Sequence, residues 1–139
     1  MVHALSEIYR VLVPDGILID ARPIGEQWPI EVASTSRIKE TGRATDLPEQ
    51  TSGDLAANSA MKEAEGRGWF SRDREEFFPF FYSWDTPSEM EEFIAEDWAD
   101  FIALSDEAKQ ATRSAWALAD ADSRVRVRVK ILLSRWKKL

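Results

Sequence analysis

The chain has 139 residues, of which 44% are hydrophobic and 31% are charged, and its net charge is −7. This composition excludes an intrinsically disordered chain, and no apolar run approaches the roughly 20 residues that span a bilayer. The chain has no cysteine and one histidine, which excludes disulfides and cysteine nucleophiles and argues against a metal site. Because the N-terminus also lacks the pattern of a signal peptide, we expect one cytoplasmic domain over residues 1–139 with no membrane partner.

The first elements in chain order are a helix, a tight turn and a short apolar strand. Leu5, Ile8 and Leu12 share one helical stripe. The helix must end before the turn Pro14-Asp15-Gly16, since a residue that precedes proline disfavours the helical conformation. The continuous apolar run Ile17–Ala21 then predicts a strand that is buried on both faces, as in a parallel sheet.

The segment Arg22–Gly53 is predicted to be a long irregular loop, because three prolines and three glycines interrupt it. A loop of this length is uncommon inside a compact domain. It would serve as an ordered cover, as a mobile lid, or as a partly disordered segment. Within it, the pattern allows a short helix over Ile30–Ile38.

A helix and an aromatic strand follow the predicted loop. The alanine-rich stretch Asp54–Glu65 predicts a helix that is closed by Gly66 and Gly68. The aromatic stretch Glu76–Trp84 predicts a strand. Pro79 inside this strand lacks a backbone donor, which places the strand at a sheet edge or at a bulge.

Two further helices are indicated before the C-terminus. Thr86-Pro87-Ser88-Glu89 has the form of a capping box with proline at the first helical position. The predicted core-facing side chains of this helix are Met90, Phe93, Ile94 and Trp98. A second helix is predicted from Ser105 to about Ala119, and it should bury Ala108, Ala111, Ala115 and Trp116.

The C-terminal segment from Arg124 to Leu139 carries seven of the 18 basic residues and no acidic one, which leaves 11 basic against 25 acidic residues elsewhere, a charge of −14. A basic tail on an acidic body could contact nucleic acid. However, its cations alternate with Val125, Val127 and Val129, which predicts a half-buried strand over Arg124–Arg135. We therefore expect the basic residues to form a solvated face paired with acidic neighbours, and no nucleic-acid partner.

Few residues indicate chemistry, and we assign no catalytic, cofactor-binding or metal-binding residue. Asp20 and Arg22 lie at the carboxyl end of the predicted buried strand, where ligands bind in open α/β sheets. Trp28, like Trp69 and Trp136, has no clear periodic context and could line a pocket or a partner surface. The candidate substrate-facing or partner-facing residues are thus Asp20, Arg22 and Trp28.

The N-terminal stretch resembles a known family: the run is Ala4-Leu5-Ser6-Glu7-Ile8-Tyr9-Arg10-Val11-Leu12-Val13-Pro14-Asp15-Gly16-Ile17-Leu18-Ile19-Asp20. It is similar to the fifth-strand region of class I, Rossmann-like, S-adenosylmethionine-dependent methyltransferases, whose pattern is Arg-Val-Leu-Lys-Pro-Gly-Gly before that strand. Val13 stands in place of the usual lysine and Asp15 in place of the first glycine. The match covers about 20 residues, and the downstream similarity is weaker.

The resemblance implies a fold. In that family the last strand inserts antiparallel between the fifth and sixth strands. We therefore expect an α/β fold with a small mixed three-stranded sheet in the order 17–21, 124–135, 76–84, like the C-terminal half of a Rossmann-like methyltransferase. The edge position predicted from Pro79 agrees with this order.

The resemblance also bears on function. The family's cofactor-binding elements would precede Met1, so the isolated chain is expected to bind no cofactor, and S-adenosylmethionine only if a partner completes the fold. The edge of Ile17–Ala21 would be left bare, which promotes association. A second copy, a protein that supplies the missing half, or the segment Arg22–Gly53 could cover it, and a homodimer is the first expectation. The chain is then either a methyltransferase-like domain that acts by self-association or partner binding without catalysis of its own, or the C-terminal portion of a methyltransferase that is active only with a separate cofactor-binding half.

Overall fold

The structure, a computed structural model, describes residues 1–139 and is a mixed α/β fold. Four helices and seven strands follow one another as α1 (Val2–Val11), β1 (Ile17–Ile24), β2 (Pro29–Ala33), β3 (Ile38–Arg43), β4 (Thr45–Asp46), α2 (Pro48–Gly66), β5 (Phe70–Trp84), α3 (Pro87–Asp97), β6 (Ile102–Ala103), α4 (Asp106–Ala117) and β7 (Arg124–Lys138). None of the four helices combines the length and the apolar character that crossing a membrane requires.

The larger sheet has five strands rather than the predicted three. Its order is β1-β7-β2-β3, and β5 also pairs with β7. The basic strand β7 therefore has both β1 and β5 as neighbours. At its end, the Lys138 N–H donates to the Gly16 carbonyl and the Leu139 N–H donates to the Trp69 carbonyl. The end of β7 thus meets the beginnings of β1 and β5, so both neighbours run antiparallel to it.

The prediction of an irregular loop over 22–53 is wrong, and so is the short helix within Ile30–Ile38. This segment holds the end of β1, the strands β2, β3 and β4, and the first turns of α2. β2 and β3 form an antiparallel hairpin, whose turn is closed by the Ser34 N–H donating to the Arg37 carbonyl at 2.8 Å. Ser34 and Ser36, which suggested a loop, form the turn of this hairpin. Pro29 is compatible with a strand because it is the first residue of β2.

The prediction that strand 17–21 is buried on both faces is also wrong. Side chains of β1 alternate between more and less exposed positions, and Ile17 and Ile19 are 54% and 53% exposed. This alternation is typical of an antiparallel sheet that packs on one face only. A short apolar run does not by itself reveal whether the strand will join a parallel or an antiparallel sheet.

The residues divide into two compact units. Unit 1 comprises Met1–Ile24, Thr51–Phe78 and Ile131–Leu139, and unit 2 comprises Gly25–Gln50 and Pro79–Lys130. The core of unit 1 is formed by α1, α2, β5 and β7, through Leu5, Ala60, Met61, Ala64, Phe70 and Trp136. At the end of α1, the Lys138 ammonium donates to the carbonyls of Tyr9 and Leu12, both at 2.6 Å. These bonds satisfy two of the carbonyls that a helix end leaves free.

In unit 2, α4 packs against the hairpin strands β2 and β3, and α3 packs against α4. Val125, Val127 and Val129 are fully buried, which confirms the predicted alternation of the basic strand.

α4 lies close to β3, since a Cβ at Gly42 would be 3.0 Å from the Ala108 side chain. The buried residues of α4 are Ala108 and Thr112, one turn apart. The expected burial of Ala111 and Trp116 is wrong, because a stripe of alanines does not fix the phase of a short helix.

Each basic residue of β7 has a partner. The ion pairs are Arg124–Asp85, Arg126–Glu31, Arg128–Glu31, Lys130–Glu26, Arg135–Asp73 and Lys137–Asp15. The hydrogen bond to Asp15 and the attraction of its carboxylate raise the pKa of Lys137. The positive charge of the strand is therefore balanced locally, as expected for a sheet face with acidic neighbours.

The predicted capping box begins α3. The Glu89 N–H donates to the Thr86 hydroxyl at 3.2 Å, and the Glu89 carboxylate accepts from the Asp85 N–H at 3.0 Å. We expect Thr86→Ala to lower the free energy of unfolding by about 1 kcal/mol, because the helix loses its cap. Urea denaturation measures this loss. Thr51→Ala, at an exposed position of α2, is the control, and an equal loss in both variants would contradict the capping role.

Candidate interaction surface

The three candidate residues from the sequence lie in different places. Asp20 and Arg22 come together in unit 1, where both line one cavity. Trp28 lies in unit 2 and is 4% exposed. Its ring contacts the edge of Trp98 with the centroids 5.6 Å apart. Trp28 is therefore a core residue and presents no surface to a partner.

The pairing of Asp20 and Arg22 follows from strand geometry, because residues two apart on β1 point to the same face. The Arg22 Nε lies 3.2 Å from each carboxylate oxygen of Asp20. Its Nη2 donates to the Asn58 side-chain oxygen of α2 at 2.6 Å. The strand and the helix are thus joined by one guanidinium.

The aromatic residues that follow Pro79 form a second feature, which lies in unit 2. Phe80, Tyr82 and Trp84 occupy alternate positions of β5 and so share one face of the strand. The ring centroids of Phe80 and Tyr82 are 5.3 Å apart. Tyr82 and Trp84 extend this row towards α3, where Tyr82 lies 4.8 Å from Trp98 and Trp84 lies 5.3 Å from Phe93. We call Phe80, Phe81, Tyr82, Trp84, Phe93 and Trp98 the aromatic edge.

The aromatic edge is only partly covered. Phe80 is 49% exposed and Tyr82 is 38% exposed. On the other face of the strand, Phe81 is also exposed, with the Arg126 guanidinium over its ring at 4.2 Å. Exposed aromatic rings in a row are unusual on the surface of a monomer and indicate an interaction site.

The backbone of β5 is also available for pairing. Its only neighbour in the sheet is β7, so one side of the strand carries unpaired N–H and C=O groups. Pro79 lacks a backbone donor, but alternate residues of 80–84 still direct their N–H and C=O groups to the open side of the strand. Natural proteins protect edge strands with charges or bulges, whereas residues 80–84 of this strand carry no charge.

The sequence indicated the strand and its edge position but not this surface. The bare edge was expected at Ile17–Ala21, and β1 does end the strand order with β7 as its one neighbour, but no exposed aromatic surface was expected on β5. The available signal was the run Phe80-Phe81-Tyr82, in which consecutive apolar residues must face both sides of a strand.

The helix α3, which carries Phe93 of the aromatic edge, also carries exposed acidic side chains. They are Glu92, Glu96 and Asp97. A partner that covers the exposed face of α3 will therefore meet negative charge. No group of three histidine, aspartate or glutamate residues is arranged to hold a metal ion.

Comparison of the chain with protein-family models, with curated proteins and with solved structures finds no match.

Proposed function

We propose that the chain is an interaction domain that self-associates through the aromatic edge, rather than an enzyme that works alone. The observation that carries this proposal is that β5, an edge strand, exposes consecutive aromatic residues and an unpaired backbone edge together. Backbone pairing supplies binding energy, and the alternating side chains supply specificity, as in strand-addition complexes.

A second copy of the chain is the occupant that fits this edge. An antiparallel pair of identical strands is related by a twofold axis, so one surface serves both copies. Each half-exposed aromatic side chain that becomes covered removes roughly 100 Å² of apolar surface from water, worth about 2 kcal/mol. Several such rings are needed, because association also has to offset lost rotational and translational freedom.

The acidic surroundings make the proposal testable. Two copies bring Glu92, Glu96 and Asp97 of one α3 towards their equivalents in the other, so added salt should screen the repulsion and strengthen self-association. Sedimentation equilibrium at about 50 mM and about 500 mM NaCl measures this. A dimer that tightens at high salt supports the proposal. A monomer at both salt concentrations overturns it, and so does a complex that requires a basic partner and weakens with salt.

A second candidate function is supported by the sheet. The alternative is that the chain is the C-terminal portion or subunit of an S-adenosylmethionine-dependent methyltransferase. The pairing of β7 with both β1 and β5 supports this alternative, since it is the neighbourhood that the resemblance implies. Under it, the cofactor is bound by a separate half that this chain completes.

Calorimetric titration with S-adenosylmethionine tests the alternative. We expect no binding by the chain alone, because no segment matches the cofactor-binding elements of that family. Binding that appears after a polypeptide carrying those elements is added would favour the methyltransferase portion over a self-associating domain. Tight binding by the chain alone would contradict both candidate functions, since each assigns the cofactor site to another polypeptide.

A further inference from the structure

The strand β1 has an open edge of its own, which lies in unit 1 and is separate from the aromatic edge. β1 ends the strand order, with β7 as its one neighbour. The Gly16 carbonyl accepts from the Lys138 N–H of β7, and the backbone groups of successive strand residues alternate in direction. The residues that direct their backbone groups to the open side, away from β7, are therefore Ile17, Ile19, Ala21 and Pro23. Of these, proline alone lacks a donor.

The two faces of β1 differ in character. Leu18 packs against the core of unit 1, and on the opposite face Ile17 and Ile19 are 54% and 53% exposed. Asp20 and Arg22 share the face of Leu18, and their side chains form an ion pair in which each is only 17% exposed. Charges in such positions normally keep another strand away from an edge, because pairing would bury them without partners.

A second copy of β1 supplies partners for these charges in one register. In a twofold antiparallel pair, one residue lies on the axis, opposite its own equivalent. With Ala21 on the axis, Asp20 of each copy lies opposite Arg22 of the other, so unlike charges meet. An axis at Asp20 or Arg22 would set like charges opposite each other, and an axis at Ile19 would set Asp20 opposite Leu18. The charge pattern therefore selects the axis at Ala21.

We propose that β1 pairs antiparallel with β1 of a second copy, with Ala21 on the twofold axis. Asp20 and Arg22 then occupy positions without ladder hydrogen bonds, where opposite side chains are closest. On the other face, Ile19 lies opposite Pro23 and both lose exposed apolar surface. This surface does not depend on the aromatic edge. It is the weaker of the two, because it covers aliphatic side chains rather than a row of aromatic rings, and it joins copies into assemblies larger than a dimer at higher protein concentration.

Single thiols test the register, because the chain has no cysteine. Ala21→Cys places two thiols at the axis with their Cα atoms about 5.5 Å apart, which a disulfide can span. Ile17→Cys is the matched control on the same face of β1, because its two Cα atoms would lie about 27 Å apart. Under mild oxidation at high protein concentration, we expect a disulfide-linked dimer from Ala21→Cys and none from Ile17→Cys.

The charge pattern is tested within the Ala21→Cys chain. Asp20→Lys sets like charges opposite each other and should slow cross-linking about tenfold. Exchange of the two charges, with Asp20→Arg and Arg22→Asp together, keeps unlike charges opposite each other and should restore the rate. Urea denaturation of each variant shows whether its fold is retained.

Three results would overturn the proposal. They are the absence of a disulfide-linked dimer from Ala21→Cys up to about 1 mM protein, equal cross-linking of Ile17→Cys, and an exchanged pair that cross-links as slowly as Asp20→Lys. The reaction is repeated with Phe80→Lys, which disables the aromatic edge. Cross-linking that persists supports pairing of β1 even if the aromatic edge does not self-associate. Cross-linking that is lost overturns it, because β1 would then meet its equivalent only as a consequence of the other interface.

Discussion

Replacing Glu31 with alanine is expected to lower the free energy of unfolding by about 3 kcal/mol. Glu31 is 5% exposed on β2, and its carboxylate accepts from Arg126 at 2.7 Å and from Arg128 at 3.2 Å. It lies directly opposite Arg126 in the register of β2 and β7. The variant would leave two guanidinium groups without their partner, one of them mostly buried. Urea denaturation measures the loss, and Glu31→Gln should lose less, because its amide oxygen still accepts one bond.

Glu40→Ala is the matched control for this prediction. Glu40 lies opposite Glu31 on β3, but its carboxylate forms an exposed ion pair with Arg43. Exposed pairs contribute little, so the change should stay within about 0.5 kcal/mol. Equal effects of the Glu31 and Glu40 variants would show that burial of the Glu31 carboxylate does not determine its importance.

Phe80→Lys is expected to weaken self-association about 30-fold, the effect of removing one strongly contributing interface residue. The lysine replaces a half-exposed aromatic ring and places a charge on an edge strand, which opposes pairing with another strand. Sedimentation equilibrium over a concentration series gives the dissociation constants. Urea denaturation of the monomer is measured alongside, because Phe80 also contacts Tyr82 within the same copy.

Leu118→Lys is the control for the Phe80 variant. Leu118 is highly exposed at the end of α4, outside the aromatic edge, and the substitution adds the same charge. Its dissociation constant should match that of the wild type. If both variants weaken association equally, net charge rather than the aromatic edge governs it. If neither does, the interface lies elsewhere.

Local sequence signals predicted the elements that depend on nearby residues. Thr86 and Ser105 begin α3 and α4 as expected, because a cap is satisfied within four residues of its own position. The alternation of valines with basic residues predicted the strand β7, because a period of two residues is a property of the strand itself and does not depend on distant contacts. Even the pairing of its cations with acidic residues could be expected, because a charged strand face needs opposite charges nearby.

The features that the sequence did not predict depend on contacts between residues that are far apart in the chain. The hairpin β2–β3 was missed because its residues have weak strand patterns and gain stability from pairing with β7 and packing against α4. For the candidate sites, Asp20 and Arg22 were identified from the end of a strand, but the contact of Arg22 with Asn58 depends on α2, which the strand pattern does not reveal. Trp28 was expected to line a pocket or a partner surface, because no periodic pattern assigned it to the core. It is instead buried against Trp98, which lies 70 residues later in the chain.

Hydrogen–deuterium exchange as a function of protein concentration tests most directly whether β5 pairs with a second copy. The peptide that covers residues 79–84 should exchange more slowly as the concentration rises, because backbone groups on the open side of the strand become hydrogen-bonded. The peptide that covers α4 should exchange at a constant rate. Exchange in residues 79–84 that does not change with concentration, at concentrations where the protein is dimeric, would contradict the proposed interface.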